Sequence, residues 1–238
     1  MTTRTNDIEA PQNSGAEAST NGARGGIMEI IAQLREMIVA GRLMPHERLI
    51  EADLAASLHT NRTNIRTAFA VLEGEGLVVR EPNRGARVRN ISEDEAIEIA
   101  EARQVLEGLV AKKAAQRATP ENCRPLQDTI EAMQAEYETG NLLAMSHLNG
   151  RLHSQILEMA DNRTLTKLIM NLKHQLVRIQ YRAILMPDRA AQSLKEHKRI
   201  VAAIVSRSEQ EAEAAMRDHL SSVLENLQKS FEMTHSFA

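Results

Sequence analysis

From Ser92 to Phe231 apolar residues recur at three- and four-residue intervals with almost no strand-like alternation, a pattern that only helices satisfy. Breaks fall near Thr119-Pro120, Gly140-Asn141, Asp161-Asn162, Met186-Pro187 and, without Pro or Gly, near Arg207-Ser208. Ser92 followed by Glu95 is a capping box that opens the run. Six helices of roughly 17 to 27 residues joined by short turns imply an antiparallel bundle. Tyr137, Tyr181 and Phe231 are its only aromatics, so the bundle core is expected to be aliphatic.

Upstream of this run the pattern changes. Ile27, Ile30, Ile31, Leu34 and Ile38 mark one buried helix face that stops at Gly41, and a turn surrounds Pro45. A short helix fits Glu51 to Leu58. His59-Thr60-Asn61 breaks it, and Thr60 or Asn61 can cap a third helix running to about Glu73. That third helix places Ile65, Ala68, Phe69 and Leu72 inward, Thr63, Arg66 and Thr67 on the opposite side, and Arg62 on the flank. Two short helices joined by a tight turn, the second basic at its start, make a helix-turn-helix. Leu77–Arg80 and Ala86–Arg89 read as strands around Glu81-Pro82-Asn83-Arg84-Gly85, a hairpin with an arginine at its tip. Three helices followed by such a hairpin form a winged helix.

The expected fold is therefore mostly α, a winged helix-turn-helix at residues 27–90 followed by an all-helical bundle at 91–233. Residues 1–26, rich in Thr, Asn, Ser, Gly and Ala, read as a disordered tail, and residues 234–238 as a second short tail. The formal net charge of −3 argues against nucleic acid, but its distribution does not. Between Arg62 and Arg89 six arginines face three acids, a local excess of the kind a small DNA-reading element carries. No apolar run approaches the roughly 18 residues of a membrane span. The single Cys123 cannot form an intramolecular disulfide, which fits a reducing cytoplasm.

Histidines carry the chemistry of the second half. His153 lies at the edge of the stripe Met145, Leu148, Leu152, Ile156 and Met159, with Asn149 one turn before it. His197 falls in the middle of the stripe of Leu194, Ile200, Val201 and Ile204, and His219 joins Ala212, Met216, Leu220 and Val223. Three helices each aim one imidazole inward. Such residues serve as hydrogen-bonded core histidines or as metal ligands, and the pattern leaves both open; an open three-histidine site would also suit a metal-dependent hydrolase.

In combination, Gly41-Arg42-Leu43-Met44-Pro45, Asn61 through Phe69, Leu72-Glu73-Gly74-Glu75-Gly76-Leu77 and Asn83-Arg84-Gly85-Ala86-Arg87-Val88 resemble the GntR superfamily of bacterial transcription regulators, in the FadR-like branch with a C-terminal FCD domain. Asn64 and Thr67 depart from its common Pro and Glu, which bears on the operator sequence. The resemblance implies a homodimeric transcription regulator, a repressor by expectation, and no enzyme. It places Arg62, Thr63, Asn64, Arg66, Thr67, Arg84 and Gly85 against double-stranded DNA, with Arg62 and Arg66 at major-groove guanines and phosphates and the wing tip near Gly85 in the minor groove. It also implies a divalent metal held by Asn149, His153, His197 and His219, and a small carboxylate effector that meets a cation such as Arg103. Three imidazoles with a neutral amide favour Zn or Ni.

Overall fold

The computed structural model describes the backbone of residues 17–81, 85–184 and 189–236, and the side chains of 26–81, 85–176 and 189–233. The chain divides into two compact units between Arg89 and Asn90.

In the first unit, helix α1 (Glu17–Val39) is followed by β1 (Arg48–Leu49), α2 (Glu51–Ser57), α3 (Arg62–Gly74), β2 (Val78–Glu81) and β3 (Gly85–Val88). The three strands form an antiparallel sheet in the order β1-β3-β2, with Val78 opposite Val88 and Leu49 opposite Ala86. The two-residue β1 is too short to leave a periodic trace in the sequence. One core gathers Ile30, Ile31, Leu34 and Ile38 of α1, Leu54 of α2, Ile65, Phe69 and Leu72 of α3, and Val78 and Val88 of the hairpin. Gly85 opens β3 at φ 85°, a left-handed conformation that glycine adopts without a Cβ penalty. Helix α1 begins at Glu17, so residues 17–26 are helical rather than tail; residues 1–16 lie outside the described residues.

The second unit is built of α4 (Glu93–Gln116), α5 (Pro120–Glu138), α6 (Leu142–Ala160), α7 (Arg163–Ile184), α8 (Arg189–Val205) and α9 (Glu209–Ser236). The last helix continues to Ser236, into the stretch read as a C-terminal tail. Each start has a local cause. Ser92 Oγ accepts the Glu95 amide at 3.1 Å, and Thr119 and Asn122 close a reciprocal capping box before Pro120. The break lacking Pro and Gly is made by Arg207, which turns left-handed at φ 57° while the Ser208 amide donates back to Ala203 O at 2.9 Å. Alanines 96, 100, 111, 114 and 115 are buried on α4, and α9 packs along it. Small side chains permit that close approach.

Candidate functional site

The exposed start of α3 is the first candidate surface. Asn61 accepts the Asn64 amide on its Oδ1 at 2.8 Å and so ends the turn before the helix. With Ile65, Ala68, Phe69 and Leu72 buried, Arg62, Thr63, Arg66 and Thr67 are left exposed. Asn64 is half-buried, its Nδ2 donating to Thr60 Oγ1 at 2.9 Å. Arg66 Nε lies 2.9 and 2.8 Å from the two carboxylate oxygens of Glu51. Arg80 pairs with Glu73 at 2.6 Å and Arg87 with Glu81 at 2.9 Å. Glu51, Glu73 and Glu81 thus sit on arginines of this segment, whereas Arg62 makes no ion pair among the described residues. Arg84 lies outside the described residues.

The second site is inside the helical unit. His153 on α6, His197 on α8 and His219 on α9 are 5%, 0% and 3% exposed and converge, each offering a nitrogen within 4.8 Å of the others. His153 is fully inside, not at the edge that helical projection assigns it. Its Nδ1 donates to Glu107 Oε2 at 3.1 Å, and His219 Nδ1 donates to Glu196 Oε2 at 2.8 Å. His197 Nδ1 meets Ser193 Oγ at 3.2 Å. A ring that donates from Nδ1 when neutral carries a lone pair on Nε2, so the two carboxylates orient two lone pairs toward one point.

Both carboxylates are themselves backed by arginines. Arg103 Nε donates to Glu107 Oε1 at 2.8 Å, and Arg189 Nη1 donates to Glu196 Oε2 at 3.0 Å. Two arginine–glutamate–histidine chains therefore run into the cluster from opposite partners. Burial alone would raise the Glu107 carboxyl, but Arg103 beside it and the His153 hydrogen bond hold it well below the usual carboxylate range. In the same way His219 and Arg189 overcome burial and bring Glu196 down to about 2. Burial pulls His153 down to about 4 against the opposing pull of Glu107, and it lowers His197 and His219 as well. All three imidazoles are consequently neutral at pH 7, the form that ligates metal.

Whether these residues fit a metal is decided by the donors they present. Tetrahedral zinc bonds of about 2.0–2.1 Å set donor atoms about 3.3 Å apart. His153 Nε2 and His197 Nε2 stand 3.2 Å apart. Asn149 Oδ1 is buried with no hydrogen-bond partner among the described residues, and a buried amide oxygen beside convergent imidazoles is a donor that suits a cation. The residues fit.

A cavity of about 120 Å³ adjoins the cluster, and Arg103, Asn149, His153, Lys173, Arg189 and His219 are among its lining residues. Arg103 is only 4% exposed, placed in the buried stripe of α4 one turn before Glu107. The sequence-derived residues Asn149, His153, His197, His219 and Arg103 are therefore brought together in one region. Periodicity does not single out Glu107, Lys173, Arg189 or Glu196. A usable signal is present nonetheless: Arg103 and Glu107 one turn apart interrupt the apolar stripe of α4, and Lys173 interrupts that of α7.

Two family models match the chain, "Bacterial regulatory proteins, gntR family" over residues 27–88 and "FCD domain" over residues 98–222. The "HTH-type transcriptional repressor RspR" of Escherichia coli (strain K12) is 27% identical over 201 residues, covering 84% of this chain and 88% of that protein. A "Probable D-xylose utilization operon transcriptional repressor" of Paenarthrobacter nicotinovorans is 28% identical over 201 residues, covering 82% and 87%. The solved structure of E. coli McbR/YncC superposes with a TM-score of 0.73 at 20% identity over 87% of this chain and 98% of that one, a likeness of fold.

Proposed function

The chain belongs to the GntR family of bacterial transcription regulators and carries an FCD domain, and from that premise we propose that it is a repressor whose hold on its operator is set by a small carboxylate bound beside a metal in the helical unit. The observation that carries the effector half is the buried convergence of three neutral histidines and the unpartnered Asn149 oxygen on a cavity lined by cations. The hydrolase alternative finds no support, since the matched families and the relatives are regulators.

At the DNA, Arg62 and Arg66 approach guanine edges and phosphates from the exposed side of α3, supported by Thr63, Asn64 and Thr67, while Arg84 and Gly85 carry the wing tip to the minor groove. Two copies of the chain read two half-sites as a homodimer, roughly one helical turn of DNA apart. An operator of this kind lies in the cytoplasm, and no described helix is long and apolar enough to cross a membrane.

In the helical unit, Asn149, His153, His197 and His219 would hold the metal, with Zn or Ni suited to three imidazoles and an amide. When bound it supplies an electrophilic site for a carboxylate oxygen. The protein's own part is orientation: Glu107 and Glu196 hold two imidazoles in one tautomer, and Arg103 lends positive charge to the wall the effector meets. An effector with different affinity for two arrangements of the dimer changes operator occupancy.

The test is His197→Ala beside a double Arg62→Ala/Arg66→Ala variant. His197→Ala is expected to lose metal by elemental analysis and to lose the carboxylate response while still retaining operator DNA. The double variant is expected to keep metal and lose DNA. An unchanged carboxylate response in His197→Ala overturns the metal's role, and undiminished DNA retention in the double variant overturns the reading of α3.

A further inference from the structure

The charges around the cavity do not balance, and the imbalance has an address. Arg103 and Arg189 each spend their charge on a glutamate, at 2.8 and 3.0 Å, and each of those glutamates in turn holds a histidine. The imidazoles and Asn149 add no charge at neutral pH. Lys173 remains. It lies on α7 in the stripe of the buried Leu165, Ile169 and Leu176 and is itself half-buried. Lys173 lines the cavity and makes no ion pair or hydrogen bond among the described residues. Burial lowers its pKa, and the nearby Glu107 opposes that shift from a position already paired with Arg103.

A half-buried cation with no ion-pair partner among the described residues is one that a ligand anion can satisfy. Neither Asp nor Glu is among the described residues that line the cavity, so no carboxylate there balances the charge of a ligand ammonium. A single carboxylate directed to the histidine cluster would leave Lys173 as it is. We propose that the ligand is a small dicarboxylate without an amino group, one carboxylate directed to the histidine cluster and the other paired with Lys173. This deepens the effector reading above and rests on it, and it assigns Lys173 the choice between mono- and dicarboxylates.

The experiment is calorimetric titration of the full-length, zinc-loaded protein with acetate, malonate, succinate, glutarate and aspartate, with zinc content and circular dichroism recorded for every variant. At least one of the three amine-free dicarboxylates is expected to bind about ten-fold or more tighter than acetate, the range of one charge-assisted hydrogen bond. It is also expected to bind tighter than aspartate. Lys173→Met should reduce that preference to near unity at unchanged zinc content and acetate affinity, and Lys173→Arg should restore it. A preference that survives in Lys173→Met, or equal affinity of acetate and every dicarboxylate for the wild-type protein, overturns the role of Lys173 while leaving the carboxylate reading intact. If zinc is retained and no carboxylate binds, the effector reading fails and this inference with it.

Discussion

A histidine's neighbours decide its chemistry more than its position on a helical wheel does. His153 and His219 would be ordinary core residues were it not that Glu107 and Glu196 accept hydrogen bonds from their Nδ1 atoms and turn the remaining lone pairs toward His197. The same burial that keeps the rings neutral ties stability to pH. In the metal-free fold His153 stays neutral down to about 4, whereas in the unfolded chain it accepts a proton from about 6.5 downward. Between those values the unfolded state binds more protons, so stability rises with pH there and is lost as pH falls. His197 and His219 shift in the same direction. Chemical denaturation in chelator should show an unchanged midpoint from pH 8 to 7 and a fall from pH 6.5 toward 4, on the order of 1 kcal/mol per pH unit for each histidine involved. A flat midpoint between pH 6.5 and 5 would contradict the buried neutral cluster. Which imidazoles point inward is legible from helical spacing; which carboxylates accept their hydrogen bonds is not, because each glutamate sits on a different helix from the histidine it orients.

At the scale of elements, α3 shows how a short helix can expose a reading edge. Its buried ridge of Ile65, Ala68, Phe69 and Leu72 holds one side, and Asn61 fixes where the first turn begins. Asn61→Ala removes the acceptor of the Asn64 amide and should cost about 1 kcal/mol of stability, the usual worth of such a cap. Arg62 and Thr63 belong to that first turn, so operator affinity, read by mobility shift, should fall further than affinity for unrelated DNA; equal loss on both would separate the cap from recognition. Helix boundaries were largely readable here and in the bundle, where Thr119-Pro120, Gly140-Asn141 and Asp161-Asn162 coincide with the turns found. The strand β1 and the extension of α1 back to Glu17 were not readable, the first because two residues carry no period. Residues 17–26 hide their helix because Ser, Thr, Asn and Gly have low helical propensity.

For the whole molecule, each of the two units has its own buried clusters, one in the first and two in the second, so their stabilities should be separable. Ile65 is wholly buried in the core of the first unit. Ile65→Ala should cost the winged-helix unit about 2–5 kcal/mol, as large-to-small core changes do, and abolish DNA retention. Zinc binding by the helical unit should persist. Chelator should act the other way, lowering the unfolding temperature of the helical unit, since a ligand that binds only the folded form stabilises it; a metal-dependent shift lost in Ile65→Ala would contradict independent cores. What the amino-acid order determined by itself was local: periods, caps and turn residues set each helix, because hydrogen bonds within an element and the burial of one face depend on neighbours three or four positions away. Only the tertiary structure decided the site, since pairing Arg103 with Glu107 and His153, Arg189 with Glu196 and His219, and leaving Lys173 beside them, brings together charged groups and neutral imidazoles from five helices. Their energies depend on distance and burial in the packed unit, which no spacing along the chain encodes.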